Sequence, residues 1–61
     1  MKKYELLSLD GELLMDSNDH AMFSTVIGIN YPLGNFISVC ELSDYITIYF
    51  ENYNIIINKG V

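Results

Sequence analysis

From Ala21 to Cys40 the chain carries no formal charge, and it does so inside a protein of 61 residues of which 51% are apolar. A domain this short buries only about 60% of the surface its unfolded chain exposes. Much of the apolar content must therefore end at or near the surface. The uncharged stretch does not read as a membrane span. Asn30, Pro32, Gly34 and Asn35 interrupt it with turn chemistry, whereas a spanning helix needs about 20 predominantly apolar residues in succession. The surplus points to a partner surface. The partner is either another protein or a second copy of the chain, in a homo-oligomer that is most simply a two-fold dimer.

The length allows one domain, residues 1–61. Glu5, Asp10, Glu12, Asp16, Asp19, Glu41, Asp44 and Glu51 stand against Lys2, Lys3 and Lys59, for a net charge of −5. Nucleic-acid binding depends on Lys and Arg that neutralise phosphates, and docking on an anionic membrane surface needs the same residues. Neither is expected of this composition. Acidity of this kind keeps a protein soluble or suits a basic partner.

Cys40 is the single cysteine, so no intramolecular disulfide forms. Within Phe36-Ile-Ser-Val-Cys-Glu-Leu42 it reads as a small buried hydrophobe. A reactive thiolate needs an electropositive setting, and the only histidine, His20, is remote in sequence. The opening Met-Lys-Lys is followed by Glu5 and Asp10, which interrupt the apolar run of a signal peptide. The expected setting is cytoplasmic and reducing.

Asp10-Gly11, between Tyr4–Leu9 and Glu12–Met15, is a preferred pair for a tight hairpin because both positions accept positive φ. The clearest alternation is Tyr45-Ile-Thr-Ile-Tyr-Phe-Glu51, with Ile46, Ile48 and Phe50 on one face and Tyr45, Thr47, Tyr49 and Glu51 on the other. A turn at Asn52-Tyr53 returns Asn54–Asn58 antiparallel. Phe50 then opposes Ile55 and Ile48 opposes Ile57, while Tyr49 opposes Ile56 and Thr47 opposes Asn58. Tyr31-Pro-Leu-Gly-Asn35 is a turn, with Pro32 presetting φ and Gly34 permitting the exit. Met22–Asn30 reads as a strand from its Ser-Thr-Val-Ile run. Its residues Met22, Phe23, Val26 and Ile27 also share a helical face, with Ser17 as N-cap and Gly28 as stop. The expected fold is all-β: about five short antiparallel strands in an up-and-down meander, curled into a small barrel-like or open sheet. The alternative is α+β, with one helix within residues 17–27.

No catalytic constellation or cofactor motif is present. Asp16-Ser-Asn-Asp-His20 is the one cluster of ligand-type side chains, but it lacks the central glycine and distal glutamate of a calcium loop. His20 with Asp16 or Asp19 has the makings of a general base. Ser8 and Ser17 have no nucleophile elbow or oxyanion glycine beside them. Such residues ordinarily cap their own backbone, and that reading is preferred.

Gly11-Glu-Leu-Leu-Met15 followed by Val26-Ile-Gly-Ile29 resembles the opening strands of the carbon-storage-regulator RNA-binding proteins, small five-stranded dimers, over less than half of the chain. The basic RNA-contacting residues of that family have no counterpart here, so RNA binding is not implied. Gly11-Glu-Leu13 with Asp16 resembles the first Sm-type motif in residue type but not in spacing.

The aromatic residues suggest a contact surface. Tyr45, Tyr49 and Tyr53 are expected to form a stripe opposite Ile46, Ile48 and Phe50, and tyrosine is enriched at interfaces. Phe23, Ile27 and Phe36 are expected to add to it from the uncharged stretch. The expectation is a non-enzymatic protein-binding module that inhibits or regulates a larger protein. Asn-, Ile- and Tyr-rich usage without arginine suits an AT-rich bacterial or phage genome. The competing expectation is a small-ligand or metal-binding protein using residues 16–20.

Overall fold

The computed structural model describes all 61 residues, Met1–Val61. Asp10-Gly11 does close a hairpin, joining β1 (Tyr4–Ser8) to β2 (Leu13–Ser17). Its loop is longer than the expected two-residue turn. Gly11 alone takes positive φ, at 91°. The Gly11 N–H donates to the Ser8 carbonyl at 3.0 Å, and the Ser8 N–H to the Glu12 carbonyl at 2.9 Å. A turn that ends on a left-handed glycine is a common three-residue hairpin solution. The register shifts once more between Leu6 and Leu7, so that Leu6 faces Met15 and Leu7 faces Leu13. This bulge accommodates Leu13-Leu14, which fits no simple alternation.

Met22–Asn30 is not a strand. It forms most of helix α1 (His20–Asn30). The Asp19 side chain accepts the Met22 N–H at 3.1 Å, and its carbonyl accepts the Phe23 N–H at 3.0 Å. That is N-cap geometry. Phe23 and Ile27, one turn apart, are both buried, and packing of this kind overrides the weak helix propensity of Thr25, Val26 and Ile29. Ser17 is not the cap; its hydroxyl accepts the Asp19 N–H at 3.0 Å and so braces the residue that is. Gly28 does not end the helix, which runs on to Asn30 before Tyr31 turns extended ahead of Pro32. Val26–Ile29 therefore lacks the strand that the carbon-storage-regulator likeness requires.

The remaining chain forms β3 (Phe36–Glu41), β4 (Tyr45–Phe50) and β5 (Tyr53–Asn58). The β4–β5 hairpin forms with its turn one residue earlier than expected, at Glu51-Asn52. Ile48 opposes Ile55, Ile46 opposes Ile57, Thr47 opposes Ile56 and Tyr49 opposes Asn54. The pairing has moved by two residues, so each β4 side chain keeps its face. A slip of one would have reversed them all.

The five strands form one open antiparallel sheet in the order β2-β1-β5-β4-β3. The expected sheet of short antiparallel strands is thus present, with the one helix of the α+β alternative. Consecutive strands are not all neighbours. The first and last strands, β1 and β5, pair near the middle, and α1 carries the chain from one sheet edge to the other. The core is small: Leu6 of β1, Ile55 of β5, and Phe23 and Ile27 of α1 are its buried apolar side chains. The surface, 3953 Å², matches the roughly 4,000 Å² of a folded monomer of this mass. The chain is well compacted, yet 11 of its large apolar residues stay exposed, so the unburied surplus follows from composition. No helix is long and apolar enough to cross a membrane.

Candidate functional site

A single 11-residue helix is about 16 Å long and about 10 Å wide, and cannot cover a five-stranded sheet. It packs over the β2–β1–β5 side. Two surfaces are left uncovered: the apolar helix face of β4 and β3, and the whole opposite face, which is mixed. On the first, the ring of exposed Phe36 meets Phe50 edge-on at 6.1 Å, and exposed Val39 lies beside Ile48. Between the helix and β4 runs a groove of about 330 Å³. His20, Ser24 and Gly28, spaced one turn apart, line its helix side, and Ile48 and Ile57 form part of its floor. Small Ser24 and Gly28 keep the groove open along that line.

The opposite face has no helix at all. Strand alternation puts Glu5, Leu7, Thr47, Tyr49 and Ile56 on it, and the pairings align them in rows across the sheet. One row reads Asp16, Glu5, Ile56, Thr47, Cys40; another reads Leu13, Leu7, Asn54, Tyr49, Ser38. Exposed Leu9, Ile37 and Tyr49 border a shallow depression of about 410 Å³ on this side. The face is acidic at its β2 end, and at its β4–β3 end carries Tyr45 and Tyr49 among the small polar side chains of Thr47, Ser38 and Cys40. Glu5 is held in place by Asn58, whose side chain donates to it at 3.1 Å and to the Lys2 carbonyl at 2.7 Å.

The expected contact residues divide between these surfaces. Tyr45 and Tyr49 share the helix-free face, with Tyr49 exposed. Tyr53 does not join them. The earlier turn brings it into phase with Ile55, and its ring packs edge-on against Tyr31 at 5.7 Å. Phe23 and Ile27 are buried under the helix and hold it to the sheet instead of facing a partner; Phe36 is exposed. Cys40 is not buried either. It lies exposed on β3, an edge strand whose six residues are all exposed. Leu9, Ile37, Val39 and Leu42 are exposed as well. Ile37 and Val39 fall within the uncharged stretch expected to supply a contact surface, whereas Leu9 and Leu42 lie outside it.

Within the polar segment Asp16–His20, the Ser17, Asn18 and Asp19 side chains are committed to local structure. Asn18 accepts the Lys3 N–H at 2.8 Å, Ser17 braces Asp19, which caps the helix, and the His20 ring meets Tyr4 at 5.5 Å. No three His, Cys, Asp or Glu side chains are grouped to hold a metal ion. The one resolved shift in acidity is at Glu41. A hydrogen bond from Lys59 and its charge, 2.6 Å away, hold the carboxyl below the usual range. No protein-family model matches the chain, and neither the curated proteins nor the solved structures contain a significant match to it.

Proposed function

We propose that this chain is a non-enzymatic protein-binding module, an inhibitor or regulator that acts by covering a surface of a larger protein. The observation that carries the reading is the helix-free sheet face, where exposed Tyr49, Ile37 and Leu9 border a shallow depression. A broad, nearly flat surface with aromatic side chains suits a protein better than a metabolite. Glu5 and Asp16 at the other end of the face, and a net charge of −5, favour a partner with an apolar patch rimmed by Lys and Arg. The exposed thiol of Cys40 suits a reducing, cytoplasmic setting. Residue usage rich in Asn, Ile and Tyr supports a bacterial or phage source.

The test is capture of partners from lysate on three immobilised forms: the wild-type chain, Tyr49→Asp and Ile29→Asp. The expected result is one stoichiometric protein held by the wild type and by Ile29→Asp, and lost from Tyr49→Asp. Capture that survives Tyr49→Asp but not Ile29→Asp assigns binding to the helix and overturns this reading.

The groove beside α1 supports a second reading, a small apolar ligand. Its volume, about 330 Å³, lies at the lower end of ordinary ligand sites. In that case Gly28→Leu, which fills the groove, abolishes the thermal stabilisation given by a bound hydrophobic probe and leaves partner capture intact.

A further inference from the structure

We propose that a second copy of this chain pairs with the outer edge of β3, antiparallel and about a two-fold axis, joining two sheets into one. The sheet ends in two edge strands, β2 and β3, and proteins ordinarily guard such edges with charge. Here the edges differ. β2 carries Asp16 and is flanked by Glu12 and Asp19, so a second copy approaching there sets carboxylate against carboxylate. β3 is Phe36-Ile-Ser-Val-Cys-Glu41, exposed throughout, with its one charge at the last position. That charge is paired with Lys59 at 2.6 Å.

The strand is compatible with its own copy. An axis through Val39 keeps each side chain on its face, overlaps residues 37–41 and sets Glu41 against Ile37, not against the second Glu41. Most of the remaining carboxylates, from Glu5 to Asp19, belong to the β1–β2 hairpin and the helix cap, on the far side of the sheet. The two acidic regions therefore lie at opposite ends of the paired sheets. Phe36 is 59% exposed, Ile37 59%, Val39 57% and Leu42 46%. These fractions correspond to an exposed area on the order of 400 Å² per protomer. With the unpaired edge backbone added, burial on both sides approaches the roughly 1,000 Å² that a specific interface requires. Ile37 also borders the depression on the helix-free face, so the dimer is tested on the chain alone, with no larger protein present.

Sedimentation equilibrium over the micromolar range tests the proposal directly. The wild type is expected at twice the 7.0 kDa chain mass. Ile37→Lys/Val39→Lys, which places lysines along the edge, is expected to halve that mass with an unchanged far-ultraviolet spectrum. Ile29→Lys, on the exposed side of the helix, is expected to remain dimeric. Should the lysine variant fail to fold, amide exchange of the wild type decides the matter. Exchange in Phe36–Glu41 then slows as protein concentration rises, while exchange in β2 does not. A wild type that stays at the monomer mass, a folded lysine variant that stays dimeric, or β3 exchange independent of concentration overturns the proposal.

Discussion

The Glu51 carboxylate accepts the Asn35 N–H at 2.7 Å, and the Glu51 N–H donates back to the Asn35 carbonyl at 3.0 Å. This reciprocal pair ties the loop after the helix to the β4–β5 turn. Asn52 reinforces it, donating from its backbone to Leu33 at 3.0 Å and from its side chain to Pro32 at 2.9 Å. The loop passes so close that a Cβ on Gly34 would lie 2.9 Å from the Glu51 Cβ, at a φ of +80°.

Gly34→Ala is therefore expected to destabilise by about 1–3 kcal/mol, through both steric overlap and a strained backbone. Gly60→Ala, where nothing lies within 4 Å, is expected to be near neutral. Urea unfolding of the two variants side by side checks the contrast.

Leu6 is the one completely buried large side chain. Leu6→Ala is expected to cost about 2–5 kcal/mol. A core of this size supplies only about 3–5 kcal/mol of net stability, so the variant should be largely unfolded at room temperature by circular dichroism. Met22→Ala, at an exposed position of the helix, should remain folded.

Asp19→Ala removes the cap from α1 and is expected to lower stability by about 1 kcal/mol, while Asp19→Asn keeps most of it. The urea midpoints of the two variants give the comparison. If Ser17→Ala proved much more costly than Asp19→Ala, the cap assignment would be wrong.

The strands and turns were legible because their signals are local. Asp10-Gly11, Pro32 with Gly34, and the alternation from Tyr45 to Phe50 each act within a few residues. The helix was harder to read, because Ser17, Asn18 and Asp19 all have capping side chains and the β-branched Thr25-Val26-Ile27 favours a strand. Only the packing of Phe23 and Ile27 on Leu6 and Ile55, distant in sequence, decides between the two. The pairing of β1 with β5 is likewise non-local. Without it nothing in Phe36–Glu41 says that this strand forms an edge, which is why Cys40 read as buried. At the candidate site, Tyr45 and Tyr49 were placed on one face correctly, and a turn one residue earlier moved Tyr53 to the other.

Glu41 and Lys59 give a pH signature. The lysine holds the Glu41 carboxyl below its usual range. The folded state therefore gains from the ionised group above the ordinary carboxylate range and loses that gain as pH falls through the lowered value. Both side chains are substantially exposed, so the effect on stability should be slight and weakened by salt. Carbon-detected NMR titration is expected to show Glu41 titrating below the ordinary carboxylate range, and Lys59→Met should return it to that range.

The most direct measurement is an amide chemical-shift map of isotope-labelled protein titrated with the captured partner. The account predicts the largest changes at Leu7, Thr47, Tyr49 and Ile56, on the helix-free face, with His20–Asn30 little affected. Changes centred on Met22, Val26 and Ile29, with the sheet face silent, would contradict it.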